Sequence, residues 1–207
     1  MESKLKILMV SFVWIVIFAV LRYSSGFIKD LIFSLVILVI LYFIYQKCKL
    51  TSITYSLVSL SLFIHNLGAF GFYSNPPLGI PYDYVTHFLG IFTVTLLIAN
   101  VLSSKLKKHD IVLDFIVFLI IFLAGLGIGS IVETMEFTGL LIWGEGEGFF
   151  QFGAGDYEGL NNQDTLQKIV GGGYFDTMED LIVNSLGALS AVILFSVAFF
   201  KFGKHKI

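Results

Sequence analysis

Six blocks of apolar residues, each about as long as a helix that crosses a bilayer, make up most of this chain of 207 residues. The hydrocarbon core of a membrane requires roughly 20 apolar residues per helix, and the chain is 57% hydrophobic with only 14% charged residues. The sequence therefore predicts an all-α fold, a polytopic membrane helix bundle that forms one domain over residues 1–207. The six predicted transmembrane helices cover residues 6–22, 27–46, 53–73, 83–102, 111–139 and 180–201.

Two of these blocks have unusual lengths or positions. Residues 111–139 exceed the length of a simple crossing, so we expect this helix to be tilted, kinked near Gly125–Gly129, or continued beyond the bilayer. The first block begins close to the N-terminus, as a signal peptide would. It is longer than the apolar region of a signal peptide and has no small-residue cleavage site after it, so we interpret it as a retained helix.

Basic residues are distributed unevenly between the ends of the blocks. If the N-terminus is cytoplasmic, ten of the thirteen basic residues lie on the cytoplasmic side, and Arg22, Lys29 and Lys168 lie outside. The positive-inside rule favours this orientation. With an even number of spans it places both termini in the cytoplasm, and it places the single cysteine, Cys48, in a cytoplasmic turn. We predict a multi-pass protein of the cell membrane.

Acidic residues show the opposite distribution, since twelve of the 15 lie at or beyond the outer ends of the predicted spans. Acidic residues carry little topological information, so this distribution needs another explanation. The longest connection, the outer loop 144–175, is acidic and rich in glycine. Loops of this length are usually lids, binding loops or disordered segments. We interpret the outer face as the functional one.

Ionisable and amide side chains near the outer ends of spans three to six recur at intervals of three or four residues, which places each set on one helical face. These residues are His65 in span three, Asp83 and His87 in span four, Glu133 and Glu136 in span five, and Asp176, Glu179, Asp180 and Asn184 in span six. Because successive spans run in opposite directions, the sets meet at one membrane face in the topology derived from the lysines, and its orientation makes this the outer face. The sequence therefore predicts one site built by four helices.

Several carboxylates within a few ångströms repel one another and resist desolvation, and a proton, a basic partner or a bound cation relieves this repulsion. Arg22 and Lys29 are the nearby basic residues, and two cations cannot balance the whole set. Histidine and carboxylates are ordinary ligands of Mg²⁺, Mn²⁺, Zn²⁺ and Fe²⁺. The divalent metal that we expect would be bound by His65, Asp83, His87, Glu136, Asp176 and Asp180.

A metal-bound water with a carboxylate base beside it is a route to hydrolysis of an ester or phosphoester. The predicted catalytic residues are Glu133, Glu136 and Asp180, and the predicted supporting residues around the substrate are Asn184 and Glu179.

Simpler explanations exist for some of these residues. Asp83 and Asp176 fit the N-cap positions of their helices, and Glu179 and Asp180 suit a first helical turn. Carboxylates near a helix C-terminus oppose the helix dipole, which argues against such an explanation for Glu133 and Glu136. An ionisable side chain within an apolar span, as His87 is, is a functional hypothesis by default.

Four sequence blocks occur in a recognisable order: HNLGAFGFYSNPP at 65–77, YDYVTHFLG at 82–90, VETMEF at 132–137 and FDTMEDLIVNSLGA at 175–188. They resemble the blocks of the YjdF-like bacterial inner-membrane family, and the latter half is similar to the wider VanZ-like set associated with glycopeptide resistance. The resemblance covers about residues 65–190 and implies no reaction. The sequence departs from the family at Phe137, where tryptophan is expected, and in its longer and more glycine-rich outer loop. The motif residues that the resemblance implies are His65, Asp83, His87, Glu133, Glu136, Asp176 and Asp180.

Three functions fit these predictions. The first is a metal-dependent hydrolase or transferase of the outer leaflet that acts on a lipid or lipid-linked substrate, with the bilayer and this substrate as partners and no nucleic acid. The second is a cation-binding transporter or permease, which needs a polar path to the inner face. The third is a non-catalytic accessory membrane protein whose acidic rim binds a partner. We favour the first, because the inner halves of spans three to six are predicted to be almost wholly apolar.

Overall fold

The computed structural model of the protein describes residues 2–22, 28–45, 50–73, 75–77, 79–103, 106, 111–143 and 172–202. Within these residues the chain forms six α-helices and one short 3₁₀ helix, Gly68–Phe70, which confirms the predicted all-α class for the described part. The α-helices are α1 (Glu2–Leu21), α2 (Ile28–Ile44), α3 (Ser52–Leu67), α4 (Tyr82–Leu102), α5 (Ile111–Trp143) and α6 (Gly172–Phe202).

Four of the described helices are long and apolar enough to cross a membrane, namely α1, α4, α5 and α6. The other two are shorter, with 17 residues in α2 and 16 in α3. At 1.5 Å per residue these two helices are roughly 24–26 Å long, which is less than the ~30 Å thickness of the hydrocarbon core. A multi-pass membrane helix bundle is therefore supported, and six crossings remain a prediction for α2 and α3.

The third span ends earlier than predicted. Instead of continuing to residue 73, the α-helix stops at Leu67 and passes through the 3₁₀ turn to Gly71. Gly71 has a φ of 91°, a left-handed conformation that glycine adopts without steric cost. An added Cβ at Gly68 would collide with the Tyr73 ring, so the chain turns sharply here. Hydropathy does not report this turn, because its residues are as apolar as the helix before it.

The other boundary differences lie in α5 and α6. Helix α5 continues unbroken through Gly125–Gly129 to Trp143, so its 33 residues extend about 50 Å and the helix exceeds a single bilayer crossing. Helix α6 begins at Gly172, so residues 172–175 belong to a helix and not to the predicted loop. The sequence prediction began span six at 180 because charged residues end an apolar block, although they do not end a helix. Residues 144–171, and Cys48, lie outside the described residues.

The six helices form two groups of three. One apolar core joins α1, α2 and α3, and includes Trp14 and Leu38. The other joins α4, α5 and α6, and includes Ile121 and Phe195. The main contact between the two groups is that of α3 with α4.

Small residues allow α4 and α6 to approach each other closely. An added Cβ at Gly187 would lie only 2.6 Å from the carbonyl oxygen of Phe88, so no larger side chain fits there without a shift of the backbone. Ala188 is fully buried nearby, and an added Cβ at Gly125 of α5 would lie 3.1 Å from it. Such small-residue contacts are typical of packed membrane helices, and they bring the polar faces of α4, α5 and α6 together.

The orientation in the membrane is a prediction that single cysteines can test. In cells that express the chain, a membrane-impermeant maleimide should label Cys48 only after permeabilisation, because we place this residue in a cytoplasmic turn. Asn75, which is exposed in the connection between α3 and α4, lies on the opposite side in this orientation. Asn75→Cys in a Cys48→Ser background should therefore be labelled in intact cells. If Cys48 is labelled in intact cells and Asn75→Cys only after permeabilisation, the orientation is inverted.

Candidate functional site

The first turn and a half of α4 supplies two site residues. Helix α4 begins after Pro81, which occupies the N-cap position without a side-chain cap bond. Asp83 lies in the first turn, so its interpretation as an N-cap is wrong. Its main-chain carbonyl accepts a hydrogen bond from the Thr86 hydroxyl at 2.8 Å, and its carboxylate lies 3.4 Å from the same hydroxyl. One turn further, the buried His87 points to the same side of the helix.

His87 lies at the centre of the site. Its Nδ1 lies 3.1 Å from Oε1 of Glu133. Its Nε2 lies 3.4 Å from Oδ1 of Asp83, 3.8 Å from Oδ2 of Asp180 and 3.9 Å from Oε1 of Glu136. Because these carboxylates belong to α4, α5 and α6, one imidazole contacts acidic groups of three helices.

Two glutamates of α5 face this ring. Glu133 and Glu136 are both buried, and Glu133 also accepts a hydrogen bond from Nδ2 of Asn184 at 3.0 Å. Helix α5 continues for about two further turns after Glu136, to Trp143. The influence of the helix dipole is confined to the last turn, so the argument that these carboxylates oppose the dipole is wrong. Their burial is what makes them unusual.

Helix α6 contributes two fully buried residues, Asp180 and Asn184, each 1% exposed. Asp176 is also buried, but it lies in the second turn of a helix that begins at Gly172. Its interpretation as an N-cap is therefore wrong, for the same reason that the start of span six was placed too late. Asp176 is outside the sets of ligand atoms that lie closest together.

Two predicted residues lie at the margin of the site. Glu179 is exposed and accepts a hydrogen bond from the Tyr84 hydroxyl. His65 lies in the last turn of α3, nearer to the helix end than predicted because the helix stops at Leu67. Its Nδ1 lies 3.1 Å from the Tyr73 hydroxyl.

Two sets of three side chains could hold a metal ion, and in each set one ligand atom per residue lies within 4.8 Å of the others. They are Asp83, His87 and Asp180, and His87, Glu133 and Glu136. Among the described residues, the structure thus brings together Asp83, His87, Glu136 and Asp180 of the predicted ligands, and it leaves His65 and Asp176 outside these sets.

Several buried oxygens of the cluster lack a hydrogen bond within the part of the chain that the structure describes. They are both carboxylate oxygens of Asp180, Oε2 of Glu133 and Oδ1 of Asn184. A buried polar atom without a partner costs about 1–3 kcal/mol, and more if it is charged. Arg22, one predicted basic partner, has its guanidinium 5.4 Å over the Phe70 ring. Within the described contacts the cluster thus has more acceptor atoms than donors.

A cavity of about 280 Å³ begins at the cluster and extends between the two groups of helices. Its polar end is formed by His65, His87, Glu136 and Asn184. The remainder is lined mainly by apolar side chains of α2, α3, α4 and α5. The cluster thus lies beside a space that is open to an apolar ligand.

Sequence reasoning missed several residues near the cluster. The hydroxyls of Tyr73 and Tyr84 contact His65 and Glu179. Both tyrosines lie in the same motif blocks as the ionisable residues, and this position could have indicated them. Asp30, in the first turn of α2, is 3% exposed and is a further buried acid. It belonged to a block without any matched motif, so nothing singled it out.

The halves of the helices that are predicted to face the cytoplasm carry more buried polar side chains than expected. Ser11 and Ser59 are hydrogen-bonded at 2.6 Å, and Nδ2 of Asn100 donates to Oγ1 of Thr54 at 3.0 Å. Asp114, in the first turn of α5, is only 1% exposed. The expectation that these halves are almost wholly apolar is wrong. These hydroxyls and amides join neighbouring helices, which is a structural role that periodicity did not reveal.

Together, the apolar helices and the buried acidic cluster define a helical membrane protein with a potential metal-binding site. The chain belongs to the family described as "Predicted membrane protein (DUF2238)", which matches residues 4–201. The resemblance to the YjdF-like family is consistent with this match, and the relation to the VanZ-like set stays a prediction. The match includes α1 and α2, so it extends beyond residues 65–190. No curated protein and no solved structure matches the chain.

Loss of the amide at Asn184 should destabilise the cluster. Asn184→Ala removes one of the two described contacts of Oε1 of Glu133, and we expect it to lower the free energy of unfolding by about 0.5–1.5 kcal/mol, the net contribution of one hydrogen bond. Thermal unfolding of the protein in nanodiscs measures this. Ser185→Ala is the matched control, because its hydroxyl bonds only to the Leu181 carbonyl of its own helix among the described contacts. Equal shifts for the two variants would mean that the Asn184 bond does not support the cluster.

Proposed function

We propose that this protein is a metal-dependent hydrolase or transferase whose His/Asp/Glu site lies at the extracytoplasmic ends of α3 to α6 and acts on a lipid or lipid-linked substrate. The observation that carries the proposal is the environment of the His87 imidazole. One ring nitrogen is at hydrogen-bonding distance from a carboxylate, and the other faces three carboxylates at longer range.

The contact of Nδ1 with Glu133 is compatible with a ring proton on that nitrogen, since its 3.1 Å is within the range of an N–H···O hydrogen bond. In this proposal Nδ1 carries the proton that Glu133 accepts. A neutral His87 then directs the lone pair of Nε2 towards the oxygens of Asp83, Asp180 and Glu136. Facing lone pairs repel each other unless a proton or a cation lies between them. Histidines that bind metals commonly donate their other N–H to a carboxylate.

The distances from Nε2 favour a cation over a proton. They are 3.4, 3.8 and 3.9 Å, whereas N–H···O hydrogen bonds measure roughly 2.7–3.2 Å. Two ligands that are each about 2.0–2.1 Å from a tetrahedral ion lie roughly 3.3–3.4 Å apart. The Nε2–Asp83 distance matches this separation, and the distances to Asp180 and Glu136 are longer. A small divalent cation beside Nε2 and Asp83 would also give a partner to the oxygens of Asp180, which have no hydrogen bond among the described residues.

In this proposal His87, Asp83 and Asp180 would hold the metal, which would supply Lewis acidity. Glu136 lies on the cavity wall and accepts a proton from the attacking water, whose oxygen forms the new bond to the carbonyl carbon or phosphorus of the substrate. The bond from that atom to its ester oxygen breaks, and the leaving oxygen takes the proton from Glu136. Glu133 is a positioning residue, because it holds the imidazole through Nδ1. The apolar helices around the site favour a substrate that is already dissolved in the membrane.

Metal content tests the proposal directly. Protein purified without chelators should contain about one divalent ion per chain, measured by elemental mass spectrometry. Asp180→Asn and His87→Ala should each lose about tenfold or more in metal affinity, since even changes to supporting residues cost roughly 10–100-fold. Asp114→Asn is the matched control, because Asp114 is as buried as Asp180. It lies in the first turn of α5, at the other end of this helix from Glu133 and Glu136. Wild-type protein that stays substoichiometric after incubation with Mg²⁺, Mn²⁺, Zn²⁺ and Fe²⁺ would refute the metal site and favour an acidic rim for a protein partner.

A second measurement separates an enzyme from a protein that only binds metal. Metal-loaded protein in vesicles of total membrane lipid extract should convert a lipid that lipid mass spectrometry identifies. Glu136→Gln should retain the metal and lose roughly 100-fold or more of the rate, the usual contribution of a general base. A turnover rate unchanged in Glu136→Gln would remove this residue from the proton transfer, and no conversion by the wild type would argue against an enzyme.

A further inference from the structure

We propose that the cavity beside the cluster binds one hydrocarbon chain of a membrane lipid, whose head group lies at His87 and Glu136. This inference rests on the proposed function and deepens it, because it names the part of the substrate that the protein recognises. The chemistry of the walls, the position of the opening and the absence of a side chain at Gly90 support it.

The walls of the cavity are those of a site for hydrocarbon. Phe33 and Ile37 of α2 line one side, Val58 and Leu62 of α3 line another, and Ile128 of α5 lines a third. Water gains few hydrogen bonds in such a space, whereas each buried methylene group contributes about 0.8 kcal/mol when it leaves water. An apolar space of about 280 Å³ is also larger than the small voids of a well-packed interior.

The polar end of the cavity and the position of its opening fit an amphiphilic ligand that enters from the bilayer. His65, His87 and Glu136 form the polar end of the cavity. Ile131 of α5 also lines the cavity, yet it is 54% exposed on the surface of the helix. The cavity therefore reaches the apolar outer surface of α5, next to which a bilayer would supply lipid. A chain that enters there would leave its head group at the cluster.

Gly90 of α4 leaves space in the cavity and does not serve close packing between helices. It lines the cavity, and an added Cβ at this position meets no heavy atom within 4 Å. Gly187 shows the opposite case, since its added Cβ would lie 2.6 Å from the Phe88 carbonyl oxygen. A Cβ at Gly90 would thus meet open space, and a longer side chain there would extend into the cavity.

The volume restricts the occupant to a single chain. Pockets for small ligands measure roughly 300–1,000 Å³, and this cavity lies just below that range at about 280 Å³. It suits part of one chain, with the remainder of the lipid in the bilayer. The chain of a phospholipid and that of a polyprenyl phosphate share this chemistry, and the experiment separates the two sources.

Photocrosslinking in nanodiscs tests the inference. The probes are a phosphatidylglycerol with a diazirine in one acyl chain and a polyprenyl phosphate with a diazirine in its chain, and mass spectrometry maps the labelled residues. We expect at least one probe to label Ile37, Val58 or Val94, and the probe that does so identifies the source of the chain. Gly90→Leu should reduce this labelling by roughly tenfold or more, because exclusion of about two methylenes already costs that much affinity.

The matched control is Gly127→Leu in α5. Gly127 is exposed, is not among the residues that line the cavity, and has no heavy atom within 4 Å of an added Cβ. Labelling should stay at the wild-type level in this variant. Gly90→Ala, which fills less space, should give an intermediate loss and covers the case in which Gly90→Leu does not fold. Labelling that is equal in wild type and both Gly90 variants, or that never reaches the cavity residues, would overturn the inference.

Metal content of the same preparations separates this inference from the proposed function. In one outcome the wild-type protein contains no metal, and Gly90→Leu abolishes the labelling of the cavity. This result would support the lipid site and refute the enzyme. Wild type with metal whose labelling does not depend on Gly90 would refute the lipid site and leave the metal site standing.

Discussion

The contact of the His87 imidazole with carboxylates of three helices is the interaction on which the rest of the site depends. It requires α4, α5 and α6 to approach one another closely, because aspartate and glutamate side chains are short. Glycine at position 187 permits this approach, since any Cβ there would meet the Phe88 carbonyl oxygen at 2.6 Å. The small-residue packing and the acidic cluster are therefore two parts of one arrangement. Packing brings the helices together, and the imidazole lies where their acidic faces meet.

This arrangement is costly unless the cluster binds something. Each buried charge loses several kcal/mol of hydration, and the low dielectric of an interior strengthens the repulsion between carboxylates. His87 can carry at most one positive charge, whereas four carboxylates lie within 3.9 Å of its ring nitrogens. The oxygens of Asp180 have no hydrogen-bond partner among the described residues. A divalent cation would reduce both costs, which is the physical basis of the proposed metal site.

Much of the site could be predicted because helical spacing is encoded locally. Intervals of three and four residues placed Asp83 with His87, and Asp180 with Asn184, on common faces, and the structure brings these faces together. The errors arose where apolarity was used to infer helix ends. Charge at the end of the apolar block suggests a cap at Asp176, although the helix begins earlier, and the apolar turn after Leu67 suggests too deep a position for His65. Buried hydrogen bonds such as that of Asn100 with Thr54 depend on tertiary contacts, and the periodicity of the sequence does not predict these contacts.

The cavity also gives a reason for α1 and α2, which carry none of the predicted site residues although the family match begins at residue 4. Phe33 and Ile37 of α2 form one wall of the space beside the cluster, and the core shared by α1, α2 and α3 holds that wall in place. Because the main contact between the two groups of helices is that of α3 with α4, space remains beside this contact. A bundle with one compact core would bury the same acidic cluster but leave a lipid chain no place beside it. If the proposed function is correct, the division into two groups would thus determine which substrates reach His87 and Glu136.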